Sequence, residues 1–541
     1  MKLNKLKKYL GRIPNKVELE FINAFKKSYD IQSAFNNEIA FASNYIANQS
    51  RYKLIAVNKN DNRGIIENHI LNKEKYKKVK LFKNDIEKLI VGINYNNLKK
   101  EKIFLGSLFL LKGKNNKTLI NEINKSTIIN NIVDVHKCGL GYSIYKLLKV
   151  NNCGICLNIS SANDLFMKSM NGILIQVGNE SLKEYELFNK EKSIFIGSFT
   201  NDKFLKIRSK SNNISSLPIQ ILDFTLDKNS VLNEFKIQTK ISSYEVANLK
   251  EKKSYNKDLK ELLVDINHKE KVKIIKINNY KYGYSTHDND HISYNDYYMQ
   301  SISLIANASR RLACNGIVPE TATGFLSIPN ENNEQKGSFL KGVNNISKHL
   351  NINMGYFSFN ISNSLPSGKF YVFGKSISKI KINNKFNIPG NFISIIGTHI
   401  GELGGSRYFI KNKLDYMNKR PYVDLNAECR LQNSIIKGIQ GNLFESIRPI
   451  SGGGIASAVA LSLMNKSKLG ARIHFTSNLS PSEILFGETQ GLVLVTLKEE
   501  NLMPLERLCM KFEIANTTIG RVTNDGFLTI NKKIEVNVSD L

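Results

Sequence analysis

Tryptophan is absent from the 541 residues, and cysteine occurs only six times. Six thiols in a chain this long cannot form the dense bridging framework of a small secreted domain, so a reducing, cytoplasmic setting is expected. No apolar run approaches the roughly 18 residues that cross a bilayer, which argues against an integral membrane protein. The opening Met1-Lys2-Leu3-Asn4-Lys5-Leu6-Lys7-Lys8 is basic but has no apolar h-region of the secretory kind. Acidic residues are the other shortage, 47 against 77 lysines and arginines, leaving a net charge of +30. A basic surface for RNA or another polyanion is one reading of that charge. The other is compositional drift, since abundant Lys, Asn, Ile and Tyr with no Trp is what AT-rich coding produces. The basic residues are spread along the chain and no aromatic-plus-basic RNA motif stands out, which favours drift. What is present is the composition of a folded protein, 41% hydrophobic and 23% charged, with length for three or four domains of roughly 150 residues.

An internal duplication is visible. Ile196-Gly197-Ser198-Phe199-Thr200-Asn201-Asp202-Lys203-Phe204-Leu205-Lys206-Ile207 recurs from Ile519 to Ile530 with eight of twelve positions identical. Both copies read as two short strands about an Asn-Asp turn. Upstream of each comes the same order of events. Gly139-Leu140 opens a helical run followed by Gly154-Ile155-Cys156-Leu157-Asn158 and Ile173-Leu174-Ile175-Gln176-Val177. Gly454-Ile455 opens another, followed by Gly470-Ala471-Arg472-Ile473 and Leu492-Val493-Leu494-Val495. An apolar helix, an alternating strand and a buried β-branched strand, twice over, predict an α/β layer built by duplication.

Three segments then carry a family resemblance: Gly401-Glu402-Leu403-Gly404-Gly405-Ser406-Arg407-Tyr408, Arg420-Pro421-Tyr422-Val423-Asp424-Leu425 with its continuation to Gln432, and Leu485-Phe486-Gly487-Glu488-Thr489-Gln490-Gly491. In this order they resemble the C-terminal half of phosphoribosylformylglycinamidine synthase, the large ATP-dependent amidotransferase subunit of purine biosynthesis. Ser285-Thr286-His287-Asp288-Asn289 and Ala308-Ser309-Arg310-Arg311-Leu312 look like that family's third domain, and Leu10-Gly11-Arg12-Ile13-Pro14-Asn15-Lys16-Val17-Glu18 like its opening helix. The resemblance implies an α/β fold of two tandem AIR-synthase-like modules related by a pseudo-twofold, with the first module shortened. Its expected divisions are a truncated N-terminal-type domain at 1–125, a C-terminal-type α/β domain at 126–208, a connector at 209–256, a second N-terminal-type domain at 257–385 and a second C-terminal-type domain at 386–541. It further implies ATP and Mg²⁺ as cofactors, a glutaminase subunit and a small bridging subunit as partners, and amidation of formylglycinamide ribonucleotide as the reaction.

The reactive residues of that family are thinned. Its Trp-Ser-Glu-His-Cys pattern meets Lys26-Lys27-Ser28-Tyr29-Asp30, placing Tyr29 at the histidine position. A phenol with pKa near 10 cannot carry protons as an imidazole does near pH 7. The next histidine motif has two candidates, Asn60-Asp61-Asn62-Arg63 or Asn68-His69, depending on alignment. His-Asp-Val-Ser-Asp-Gly-Gly becomes Arg448-Pro449-Ile450-Ser451-Gly452-Gly453-Gly454, Gly-Gly-Asn-Val-Ser becomes Met354-Gly355-Tyr356-Phe357-Ser358, and Asn-Phe-Gly-Asn-Pro becomes Phe325-Leu326-Ser327-Ile328-Pro329. The expected nucleotide contacts are Gly452, Gly453, Gly454, Ser358 and Glu488. Each keeps a plain alternative: the glycines as a tight packing turn, Glu488 as a carboxylate satisfied by backbone donors. His287-Asp288-Asn289-Asp290-His291 has the residue types of a metal site but coincides with a family loop. Cys153 and Cys156 read as small buried hydrophobes rather than a zinc or redox pair. Two functions follow as expectations: a divergent synthase subunit, or a catalytically inactive descendant acting as a scaffold or partner-binding protein whose cleft Tyr29, Tyr356 or Phe325 would fill.

Overall fold

The computed structural model describes residues 6–7, 10–28, 52–58, 76–80, 87–94, 106–111, 129–134, 140–151, 153–159, 165, 173–183, 185, 193–208, 214–225, 251–266, 272–277, 280–288, 296–328, 333–361, 367–377, 382–412, 422–464 and 468–541. The chain divides into two compact units, Met1–Lys236 and Ile237–Leu541.

The first unit opens with α1 (Lys16–Ser28) and a short antiparallel set, β1 (Tyr52–Asn58), β2 (Tyr76–Lys80) and β3 (Glu87–Asn94), in which β3 pairs with both others. Its main layer has seven strands in the order β10-β9-β6-β8-β4-β7-β5. These are β4 (Gly106–Leu111), β5 (Ile129–Asp134), β6 (Gly154–Asn158), β7 (Ile173–Gly178), β8 (Ser193–Thr200), β9 (Phe204–Arg208) and β10 (Ile214–Pro218). Helix α2 (Leu140–Asn151) follows β5, and α3 (Ile219–Thr225) follows β10. Phe21 and Phe25 of α1 and Ile144 and Leu148 of α2 are packed with Leu108, Ile155, Leu157, Leu205 and Ile207 in one core. Strand β4 therefore belongs to this layer although it lies upstream of residue 125, and β10 belongs to it although it lies within 209–256.

The second unit begins with α4 (Asn256–Ile266). A five-strand set follows, in the order β11-β12-β15-β13-β14: β11 (Lys273–Ile277), β12 (Tyr280–Asp288), β13 (Ile317–Ile328), β14 (Asn353–Ile361) and β15 (Ser367–Ser376). Helices α5 (Tyr297–Ala313) and α6 (Asn333–His349) accompany it, α5 with nearly every residue buried. Then come β16 (Phe392–Ile396), α7 (Arg407–Lys411), α8 (Leu425–Gln440), β17 (Ser446–Pro449), α9 (Gly454–Leu463), β18 (Gly470–Ile473), α10 (Pro481–Phe486), β19 (Val493–Leu497), α11 (Leu502–Lys511), β20 (Asn516–Thr523), β21 (Phe527–Ile530) and β22 (Ile534–Asn537). The seven strands run β17-β19-β16-β20-β18-β21-β22. Both faces are apolar, as Val-Leu-Val-Thr-Leu in β19 demands, since every residue of that strand is buried. Leu494 and Ile393 join α4 and the small-residue helix α9 on one face; Val493, Val495 and Leu497 join Leu431, Ile435 and Ile439 of α8 on the other.

Read from opposite ends, the two seven-strand orders are one order, with β10 answering to β22, β9 to β21, β6 to β18, β8 to β20, β4 to β16, β7 to β19 and β5 to β17. In each the single parallel pair joins the same strands, β6 with β9 and β18 with β21. Each carries the same bulge: β4 pairs Leu108 with Gly197 and then Phe109 with Phe195, skipping Ile196, while β16 pairs Ile393 with Gly520 and then Ser394 with Thr518, skipping Ile519. The glycine beside the bulge is required sterically, because a Cβ on Gly197 would run into the carbonyl of Cys156 and one on Gly520 into that of Arg472.

The start of each copy reaches the same point of the edge strand, through Arg12 just before α1 and through Asn256, the first residue of α4. Arg12 reaches the carbonyl of Ser216 at 3.4 Å, and the Asn256 amide reaches that of Glu535 at 2.7 Å. These carbonyls are equivalent, since Leu217 opposes Leu205 as Val536 opposes Leu528. The opening motif also explains itself physically. Asn15 and Glu18 form reciprocal side-chain-to-backbone bonds of 2.9 Å at the start of α1. Burial pushes the fully buried Glu18 carboxyl up, but the bonds from Arg12 and Asn15 outweigh it and hold it low.

Candidate functional site

Antiparallel pairing decides which loops of the second unit meet. Val493, the first residue of β19, opposes both Ile396 at the end of β16 and Pro449 at the end of β17. The Gly401–Ser406 loop, the Ile450–Gly454 turn and the Gly487–Gly491 loop therefore leave one end of one sheet together, although they are scattered over 90 residues of sequence.

Glu488 ties them. Its Oε1 accepts from the backbone N–H of Arg407, the first residue of α7, at 2.8 Å and from that of Gly453, the N-cap of α9, at 2.7 Å. Its own N–H donates to the Glu402 carbonyl at 2.8 Å. Glu402, buried, accepts from the Tyr422 N–H at 2.9 Å. Thr489 Oγ1 accepts from Ile400 and Glu402. Gly453 and Gly454 have φ of +80° and +65°, a conformation that disfavours any side chain. A Cβ on Gly454 would also strike the backbone of Leu485 to Gly487, and one on Gly452 would strike the Arg407 side chain.

A second polar cluster lies behind this loop. Arg310 of α5 and Glu428 of α8 are each 1% exposed and form a two-pronged ion pair, with Arg310 Nε to Oε1 at 3.0 Å and Nη2 to Oε2 at 2.5 Å. Arg310 Nη1 donates to Asn307 Oδ1, Gln432 donates to both Glu428 and Ser309, and Asn307 donates to Gln490 Oε1 at 2.9 Å. A low-dielectric setting makes such a network stable only when its members are satisfied, and this pair is. Gln490, Glu428, Asp424 and Tyr422 also line a cavity of about 260 Å³ bounded by Gly397, Arg430 and Glu513. Asp424 caps α8 by accepting from the Ala427 N–H at 2.8 Å.

Arg448, which stands where the resembled motif has histidine, donates to Ser462 Oγ and to the carbonyls of Asn384 and Leu461. Lys385 donates to the carbonyls of Leu461 and Met464. Both cations thus satisfy the carboxyl end of α9. Burial, with Arg448 as like charge nearby, brings the Lys385 pKa down to about 8.

Of the residues singled out in the sequence, the structure joins Gly453 to Glu488 directly and places Gly452 and Gly454 beside them. Ser358 lies on β14 opposite Phe325 of β13, and Tyr356 is on β14 too, but the side chains of these three lie outside the described residues. Tyr29, His69 and Asn289 to His291 also lie outside them. Cys153 is buried, its thiol pushed up to about 11 by desolvation, and neither it nor Cys156 is disulfide-bonded. Among the described residues no cluster of His, Cys, Asp and Glu suits a metal ion, and no helix is long and apolar enough to cross a membrane. Sequence reasoning missed the Arg310 network. Its one sequence signal is a pair of arginines in an otherwise uncharged helical run.

Residues 389–533 match the family model described as AIR synthase related protein, C-terminal domain. The chain is 28% identical over 261 residues to the phosphoribosylformylglycinamidine synthase subunit PurL of Thermococcus sibiricus, 45% of this chain and 36% of that one. To the PurL subunit of Alkaliphilus metalliredigens it is 28% identical over 248 residues, 43% and 33% of the two chains. The match thus spans about a third of the length of these curated relatives. Among solved structures, Thermotoga maritima PurL complexed with AMPPCP superposes with a TM-score of 0.49 at 12% identity, covering 96% of this chain and 99% of that one. The chain is thus similar to PurL subunits over less than half of its length, and residues 389–533 are similar to the AIR-synthase-related C-terminal domain.

Proposed function

We propose that the chain is a divergent phosphoribosylformylglycinamidine synthase subunit of purine biosynthesis, an ATP-dependent ligase that works in the cytoplasm with a glutaminase and a small bridging subunit. The observation that carries this reading is the match to curated PurL subunits over 45% of the chain. In that reaction the substrate amide oxygen takes a phosphoryl group from ATP and ammonia then displaces phosphate. Mg²⁺ would neutralise the triphosphate.

The second unit's own residues do not suit a magnesium–nucleotide at the Arg448–Gly454 turn. Pro449 and Gly452 stand where the resembled motif has its two carboxylates, and the Arg448 guanidinium is spent on a helix end. No reaction step is therefore assigned to that turn. The same observation supports a second reading, an inactive descendant that holds partners, because Glu488, Arg448 and Lys385 all act on helix ends rather than on an open cleft.

Two measurements separate the readings. Purified protein supplied with formylglycinamide ribonucleotide, ATP, Mg²⁺ and ammonia should form amidine if the first is right. ATP with Mg²⁺ should also raise Tm, by about 2.7 kcal/mol of stabilisation at a hundredfold excess over Kd. Absence of both product and shift at millimolar nucleotide would sink the ligase reading and leave the scaffold.

A further inference from the structure

The meeting point of α7 and α9 has the parts of an anion site. Two backbone N–H groups converge on one point from two helix starts, those of Arg407 and Gly453, at 2.8 and 2.7 Å from the oxygen they share. The ten-residue α9 adds the positive end of its macrodipole. The Arg407 side chain lies against Gly452, where a Cβ would strike its Cδ and Nε. Ser457 Oγ, one turn into α9, is fully buried, has no hydrogen-bond partner among the described residues, and lies where a side chain on Gly453 would have to go. Donors, a guanidinium and a spare hydroxyl around a glycine turn are the chemistry that holds a carboxylate or a phosphate group.

We propose that this junction is an anion site whose resident anion is the Glu488 carboxylate, so that an external phosphate enters it only by displacing that side chain. Glu488 is covalently attached and held in place by its own N–H on the Glu402 carbonyl, so it competes at a high effective concentration. Any nucleotide contact at Gly452 to Gly454 is then an exchange with Glu488. The proposal needs no catalysis and stands apart from the ligase reading.

The test uses the full chain without nucleotide. Glu488→Ala should melt lower than wild type by on the order of 5 °C in chloride buffer, since two backbone donors lose their acceptor. Sodium acetate or inorganic phosphate at matched ionic strength should restore most of that loss, saturably, while wild type moves only by the general salt effect. Glu488→Gln keeps an acceptor oxygen and should melt between the two with little rescue. An Ala variant that no anion rescues, or a wild type that gains as much from phosphate as the variant does, would overturn the proposal. Should the Ala variant fail to fold, its refolding yield with and without acetate is the same test. Amide exchange at Gly453 and Arg407 in wild type then adds a direct one, with fast exchange counting against the resident carboxylate.

Discussion

The two seven-strand sheets share strand order, parallel pair, bulge and the edge-strand contact made at the start of each copy, yet one connection differs sharply. Between β4 and β5 lie 17 residues (112–128), whereas between β16 and β17 lie 49 (397–445). The longer stretch carries Glu402, Ser406, Asp424 and the sixteen-residue α8 with Glu428. The shorter one is one residue longer than α8 alone. Further along, Leu165-Phe166-Met167-Lys168 stands five residues before β7 as Leu485-Phe486-Gly487-Glu488 stands before β19. Leu165 and Leu485 are core residues in their respective copies, and by sequence spacing from the strand Lys168 answers to Glu488. A duplicated sheet can therefore be kept strand for strand while the loops at its end diverge, because hydrogen bonds and packing constrain the strands and much less the loops.

The largest break in the comparison should come from the ion pair between α5 and α8 in the second unit. Arg310→Ala should cost about 3–5 kcal/mol, because Glu428 is then left charged and buried without its partner. Arg310→Met with Glu428→Leu should recover most of that, since replacing both members of a buried pair is close to neutral. Urea unfolding of the three proteins decides it. A single variant costing no more than the double would mean that the pair is not coupled.

That network also marks where sequence reading stops. The duplicated strands were legible because an eight-of-twelve repeat and β-branched runs report local periodicity. The Gly-rich loop, the Asp424 cap and the Phe-Gly-Glu loop were legible as motifs. Arg310 and Glu428 are 118 residues apart, and nothing in the spacing announces that one neutralises the other. For Glu488 both alternatives were open from sequence, because its partners are backbone N–H groups that every residue possesses. Strand β4 shows a different limit. Gly-Ser-Leu-Phe-Leu-Leu reads as a short buried run, and periodicity alone does not say which of two neighbouring layers will take it.

The glycine at the bulge sharpens the likeness of the copies. Gly197→Ala and Gly520→Ala each force a Cβ into the carbonyl of the adjacent strand. Each should cost about 1–3 kcal/mol, the usual range for overpacking. The informative quantity is the difference between the two costs, read from thermal unfolding. Equal losses would confirm that the bulges are energetically one feature, and a silent substitution in either copy would show that its sheet has relaxed away from the shared geometry.

The smallest effect concerns the Asn-Asp turn, where the copies solve one electrostatic problem with different residues. Thr200 donates to Asp202 and Thr523 to Asp525, each at 2.7 Å. The cation differs: Lys206 on β9 pairs with Asp202, while Arg472 on β18 pairs with Asp525. Lys206 stands opposite Cys156 and Arg472 opposite Thr529, so the positive charge has crossed one rung of the same parallel pair. Both carboxyls sit below their usual range. At Asp202 burial opposes the lowering and the Lys206 and Thr200 bonds overcome it; at Asp525 the Thr523 bond contributes most. Folding thus favours the charged form. The stabilisation is present above the unfolded pKa near 3.9 and is lost as pH falls through the lower folded value. Being partly exposed pairs, each should contribute no more than about 1 kcal/mol. Moving the charge in the first copy, Cys156→Arg with Lys206→Thr, should leave stability within about 0.5 kcal/mol of wild type and lower it less than Lys206→Thr alone. A double variant as unstable as the sum of its single changes would show that the two rungs are not interchangeable, and the equivalence of the turns would then hold for the backbone alone.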